Sequence, residues 1–96
     1  MSGLAHVVGS YYDTSCLDIH PSARKHKISD LDIAHGAEFA VVVFDLGNED
    51  GPLRFLHLGP DRSGNLLEVI ALHMDDGRVL AIHAMRMRPI YKHLLP

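Results

Sequence analysis

Asp76-Gly77 stands between two apolar runs, Leu66 to Met74 and Arg78 to Met85, and no other feature restricts the fold of this chain as much. A two-residue hairpin loop requires positive φ at both central positions, which Asp-Gly tolerates, so the runs read as antiparallel neighbours. A third run, Leu53 to Leu58, precedes them across the turn signal Gly59-Pro60-Asp61. The segment from Leu53 to Met85 therefore reads as a three-stranded antiparallel β-meander. With a two-residue loop, Asp75 faces Arg78, Met74 faces Val79, Ile70 faces His83 and Glu68 faces Met85. One face then carries Leu67, Val69, Ala71, Leu80, Ile82 and Ala84, with His73 and Arg86 towards its ends, and should pack on helices. The other carries Glu68 and His83 among Ile70, Leu72, Met74, Val79 and Ala81.

Upstream of the sheet, Pro21 is tolerated in a first helical turn, and Ser22 to Lys27 reads as a short basic helix. Ser29 followed by Asp32 resembles a capping box, and Ile28 could form its hydrophobic staple, so a second helix begins near Asp30. Leu31, Ala34, Ala37, Val41 and Phe44 follow helical spacing; Ala40 to Phe44, with its β-branched valines, could equally form a strand, and the helix is taken through Phe44. Asp45 to Pro52 is an acidic turn-rich loop. Arg88-Pro89 ends extended pairing, and Ile90 to Leu95 reads as a short terminal helix. Residues 1–17 lack a sustained period and read as an arm or an edge strand. The expected fold is thus α+β: two N-terminal helices, the meander and a short C-terminal helix, with 18–96 as a single domain.

Composition narrows the function classes. At 96 residues the chain holds one core, and its longest apolar stretches fall far short of the roughly 18 residues that span a bilayer. No membrane partner is expected. Met1 to Gly9 lacks the basic region of a secretory signal, which points to the cytoplasm. The single cysteine, Cys16, forms no internal disulfide or CxxC pair and reads as a small semi-buried residue. Net charge is −3, against a generic nucleic-acid binder, although local basic clusters can still hold phosphate. Eight histidines would carry the net charge from negative to positive between about pH 7.5 and 5.5. They show no HxH, HExxH or i, i+4 pair, so no metal site and no cofactor are expected. Gly59 to Gly64 lacks the Lys-Ser/Thr ending of a phosphate loop and reads as a strand connection.

Glu68 and His83 each interrupt an apolar strand and are diagonal neighbours about 5 to 8 Å apart at Cβ, near enough for a carboxylate to orient an imidazole. Arg86, Arg88, Tyr91, Lys92 and His93 form a basic and aromatic cluster beyond the third strand, suited to phosphate contact and stacking. Arg24, Lys25 and Lys27 form a second basic cluster. Ordinary solvated or cross-strand pairing is the competing reading for all of them.

The order Ser22-Ala23-Arg24-Lys25-His26-Lys27-Ile28-Ser29, then Arg54 to Gly59, then Leu66-Leu67-Glu68-Val69, then Ile82-His83-Ala84-Met85-Arg86 resembles the BrnT-type toxins of bacterial type II toxin-antitoxin systems over roughly residues 20 to 93. Those proteins share a RelE- and ParE-like fold. The resemblance implies a metal-independent endoribonuclease neutralised by a ribbon-helix-helix antitoxin. Cleavage through the RNA's own 2′-hydroxyl needs a base, an acid and cationic stabilisation. On that reading Glu68 or His83 is the base, Arg54, Arg86 and Arg88 hold phosphate, and Tyr91 or Lys92 assists. Where the family reads Ile-Ser-Ala-Arg-Arg, this chain has His83 and Met85 in place of the serine and the first arginine. Two other classes stand beside this one: a non-catalytic module binding a protein through the apolar sheet face and second helix, and a small-molecule enzyme with a pocket over Glu68 and His83. A homo-oligomer is also compatible with the sequence.

Overall fold

The computed structural model describes residues 17–47 and 50–96. Except for Leu17, the segment read as an arm or edge strand, Cys16 included, lies outside the described residues. Five strands form one mixed sheet: β1 (Leu17–Ile19), β2 (Val42–Asp45), β3 (Leu53–Pro60), β4 (Leu66–His73) and β5 (Val79–Arg86), in the order β1-β5-β4-β3-β2. Among the described residues the sheet is accompanied by one α-helix, α1 (Asp30–Glu38), and two 3-10 turns, Pro21–Arg24 and Pro89–Leu94. This corrects the expected RelE-like order of two N-terminal helices, a three-stranded meander and a C-terminal helix. The three meander strands are the centre of a larger sheet, flanked by β1 parallel to β5 and by β2 antiparallel to β3.

The corrections have local causes. His20 caps the first 3-10 turn by accepting the Ser22 backbone N–H on its imidazole, and Lys27 takes a left-handed φ of 65° that ends the turn before an α-helix can grow. Ser29 caps α1 as expected, its hydroxyl accepting the Asp32 N–H at 3.1 Å. The helix stops at Glu38 because Val41 to Val43 pair instead: the Val41 N–H donates to the Leu58 carbonyl at 2.7 Å, and Val42 faces Leu58. The buried face of α1 is Ile33, Gly36 and Ala37, while Leu31, placed on that stripe from its spacing, is 65% exposed.

Helix and sheet meet at two glycines. A Cβ on Gly59 would strike the Gly36 carbonyl oxygen and lie 2.9 Å from the Ala40 Cα, so the backbones of α1 and β3 are in direct contact. Around this contact Ala23, Ile33, Leu67, Val69, Ala81 and Ala84 form a core on one sheet face. On the opposite face the C-terminal turn covers Val42, Leu56 and Leu58 with Met87, Tyr91, Leu94 and Leu95. That second face is therefore partly roofed.

The β4–β5 register differs from the two-residue reading and returns to it. The Met74 N–H donates to the Arg78 carbonyl and the Gly77 N–H to the Met74 carbonyl, with Gly77 at φ 90°. Three residues, Asp75 to Gly77, make the loop. The pairs near the tip, His73↔Val79, Leu72↔Leu80 and Ala71↔Ala81, are shifted by one residue, which puts Val79 and Ala81 rather than Leu80 and Ile82 on the helix-covered face. A bulge at Ile82 absorbs the extra residue, so that Ile70↔His83 and Glu68↔Met85 pair as the sequence suggested. Among the described residues no helix is long and apolar enough to cross a membrane.

Two outcomes test this packing. Gly59→Ala should lower unfolding stability by about 3 kcal/mol, because backbone on both sides must move; urea titration measures it. Burial pushes the His57 imidazole down to about 4, although its Nδ1–H donates to the Val69 carbonyl. The unfolded chain takes up that proton near pH 6.5, so stability is full above 6.5 and falls as pH drops towards 4, by about 3 kcal/mol. Urea midpoints at pH 7 and 4.5 should show this loss, and His57→Gln should flatten it.

Candidate functional site

Glu68 lies on β4, in the middle of the sheet, and its side chain is fully buried on the face covered by the C-terminal turn. A buried carboxylate is tolerable only when its lone pairs are filled. Here five hydrogen bonds fill them. The Arg88 guanidinium donates through Nε to both carboxylate oxygens at 3.1 Å and through a terminal nitrogen to Oε1 at 2.7 Å. The Arg88 backbone N–H donates to Oε2 at 2.9 Å, and His83 Nε2 to Oε1 at 2.8 Å. Burial alone would raise the carboxyl pKa, but the side-chain and backbone hydrogen bonds from Arg88, with that from His83, hold it below the ordinary carboxylate value.

His83 and Arg88 have opposite environments from Glu68. The His83 side chain is 26% exposed and that of Arg88 is 46% exposed, so both reach solvent while anchored to a buried anion. An ionised carboxylate only accepts, which places the proton of the neutral imidazole on Nε2 and leaves the Nδ1 lone pair as its acceptor. The Arg88 guanidinium carbon stands 5.7 Å from the Tyr91 ring centroid, a cation–π arrangement that holds the charge over the last turn. His26, on the turn after Pro21–Arg24, stands edge-on to His83 with ring centroids 5.7 Å apart.

Glu68, His83, Arg88 and Tyr91 thus form one cluster. Comparison with protein-family models, curated proteins and solved structures gave no match to this chain. The remaining sequence candidates disperse. Arg86 pairs with Leu67 and belongs to the opposite face. Arg54 shares the Glu68 face but pairs with Leu72, about 13 Å along β3 from the Glu68 partner Leu58. Arg24 is held in a two-point ion pair with Asp30, at 3.0 and 2.9 Å. Lys25, at the end of the first 3-10 turn, and Lys92, on the second, are exposed.

His26 escaped the sequence reading. Its only local signal is a place in a basic stretch, and its partner is 57 residues away. An open cavity of about 520 Å³ lies at the β4–β5 hairpin tip, lined by Gly51, Pro52, Met74, Asp75, Asp76 and Arg78, at the end of β4 remote from Glu68. None of the candidate site residues lines it. Among the described residues no three His, Cys, Asp or Glu side chains converge as a metal site.

Removing the carboxylate charge tests the cluster. Glu68→Gln presents amide hydrogens where Arg88 and His83 donate, and should cost about 2 kcal/mol after the exposed partners regain water. Thermal and urea unfolding measure it, and an unchanged midpoint would show that Glu68 does not fasten the C-terminal turn.

Proposed function

We propose that this chain is a toxin-like, metal-independent endoribonuclease acting on RNA in the cytoplasm and neutralised by a small antitoxin. The observation that carries this reading is the solvent-reaching His83 imidazole held at 2.8 Å by a buried carboxylate that also binds the Arg88 guanidinium. A carboxylate-oriented imidazole is a general base of defined tautomer, and a fixed cation beside it is what a phosphorane with growing negative charge requires. The resemblance to BrnT-type toxins along the sequence supports the same chemistry and implies a ribbon-helix-helix partner.

The geometry supports a division of roles on this reading. With five hydrogen bonds on its two oxygens, Glu68 has little capacity left to accept a substrate proton. It acts as a positioning residue. His83 Nδ1 accepts the proton of the ribose 2′-hydroxyl, and the exposed side of Arg88 faces the phosphate. Tyr91 steadies Arg88 and offers a ring on which a base can stack. Arg86 has no part in this assignment, since its strand position is on the other face.

Expression of the full chain alone should arrest growth and cleave messenger RNA, and co-expression with a small antitoxin gene found beside it should restore growth and protect the RNA. His83→Ala should slow cleavage about 100-fold or more, and because it also takes a donor from the buried Glu68, thermal unfolding confirms that the variant is folded under the assay conditions. Normal growth with intact RNA on expression of the wild-type chain would rule the reading out.

A further inference from the structure

The turn that carries His26 is built against β5. The His20 N–H donates to the Ala81 carbonyl at 2.9 Å, and the Ser22 hydroxyl donates to the carbonyl of Ile82, the bulged residue, at 2.7 Å. Ala23 is buried in the core below, and Lys27, at φ 65°, turns the chain away immediately afterwards. His26 is thus an exposed side chain on an anchored turn, its ring at 78° to that of His83.

In-line displacement at phosphorus places the attacking and leaving oxygens on opposite sides of the phosphoryl group, so a single imidazole cannot serve both at once. The other groups at the cluster do not fill the second role. Glu68 is saturated with donors, a guanidinium stays protonated, and Tyr91 lies against the Arg88 guanidinium. An imidazole gives up and regains a proton under ordinary conditions. We propose that His26 is the second acid–base residue of this site, taking an RNA phosphodiester as substrate and protonating its 5′ leaving oxygen.

The inference rests on the ribonuclease reading above. In the step, His83 Nδ1 removes the 2′-hydroxyl proton, the 2′-oxygen forms a bond to phosphorus, and the bond from phosphorus to O5′ breaks. The His26 imidazolium gives its proton to the departing O5′. The products are a 2′,3′-cyclic phosphate and a 5′-hydroxyl end, and exchange with water returns both rings to their starting states. A DNA strand, lacking the 2′-hydroxyl, is not cut.

A leaving group that needs no proton isolates the role of His26. The full-length wild type, His26→Ala, His26→Gln and His83→Ala are compared on a short RNA and on uridine 3′-(4-nitrophenyl phosphate), whose nitrophenolate departs unprotonated. Both His26 variants should lose about 100-fold or more on RNA and under tenfold on the ester, while His83→Ala loses on both. Thermal unfolding checks each variant, and His26→Gln carries the comparison should His26→Ala melt lower. Cleavage of RNA at the wild-type rate by a folded His26 variant, or equal losses on both substrates, would overturn the proposal. Wild-type protein that cuts neither substrate would instead overturn the ribonuclease reading, and this inference with it.

Discussion

A fully buried carboxylate in the central strand organises this protein. Glu68 is stable as an anion only while Arg88 and His83 fill its oxygens, and that requirement ties three parts of the chain together: β4, β5 and the segment entering the C-terminal turn. The guanidinium approaches from beyond β5 with two nitrogens, and the same residue adds its backbone N–H. Arg88 therefore fixes both a side-chain position and the path of the backbone. Tyr91, Leu94 and Leu95 follow that path onto Leu56 and Leu58. Replacing the ion pair by apolar residues could give an equally stable sheet, since buried pairs often gain little net energy. What the ion pair adds is an imidazole of fixed tautomer at the protein surface.

That arrangement depends on the bulge at Ile82. Without it, the three-residue loop would leave Glu68 opposite Ala84 and turn His83 to the helix-covered face, because one residue of slip exchanges the faces of a strand. The bulge also directs the Ile82 carbonyl to the Ser22 hydroxyl, which anchors the turn bearing His26. One irregularity thus serves the pairing of Glu68 with His83 and the seating of the first 3-10 turn.

Much of the sheet was legible because its signals are local. Three apolar runs and their turns located β3, β4 and β5, and Ser29 with Asp32 located the start of α1. The pairing of Ile70 with His83 was also reached, although through a loop length that the structure corrects, with the bulge restoring the sum. What failed depends on distant partners. Leu17 to Ile19 is too short to show a period, and it is a strand only because β5 has an open edge beside it. Val41 to Val43 satisfied helical spacing and strand propensity alike, and pairing with Leu58 decided between them. Arg54, Arg86 and Arg88 look equivalent in sequence, and only strand parity and the turn at Pro89 separate the one that reaches Glu68.

The charge of the cluster sets what it can attract. Glu68 and Arg88 cancel, so with a neutral His83 the site is formally uncharged, and a phosphate gains little from the ion pair itself. Any attraction has to come from exposed cations near in sequence to His26 and Arg88, Lys25 and Lys27 on one side and Lys92 on the other. These are exposed, act over about a Debye length of 8 Å at physiological salt, and work against a chain whose net charge is −3. Any affinity for a polyanion such as the proposed RNA substrate would therefore be local and salt-sensitive rather than a property of the whole surface. On the proposed ribonuclease reading, taking the 2′-hydroxyl proton onto His83 would make the cluster cationic. The site would then hold an excess positive charge while the phosphorane is most negative, which is the differential stabilisation that the proposed catalysis requires.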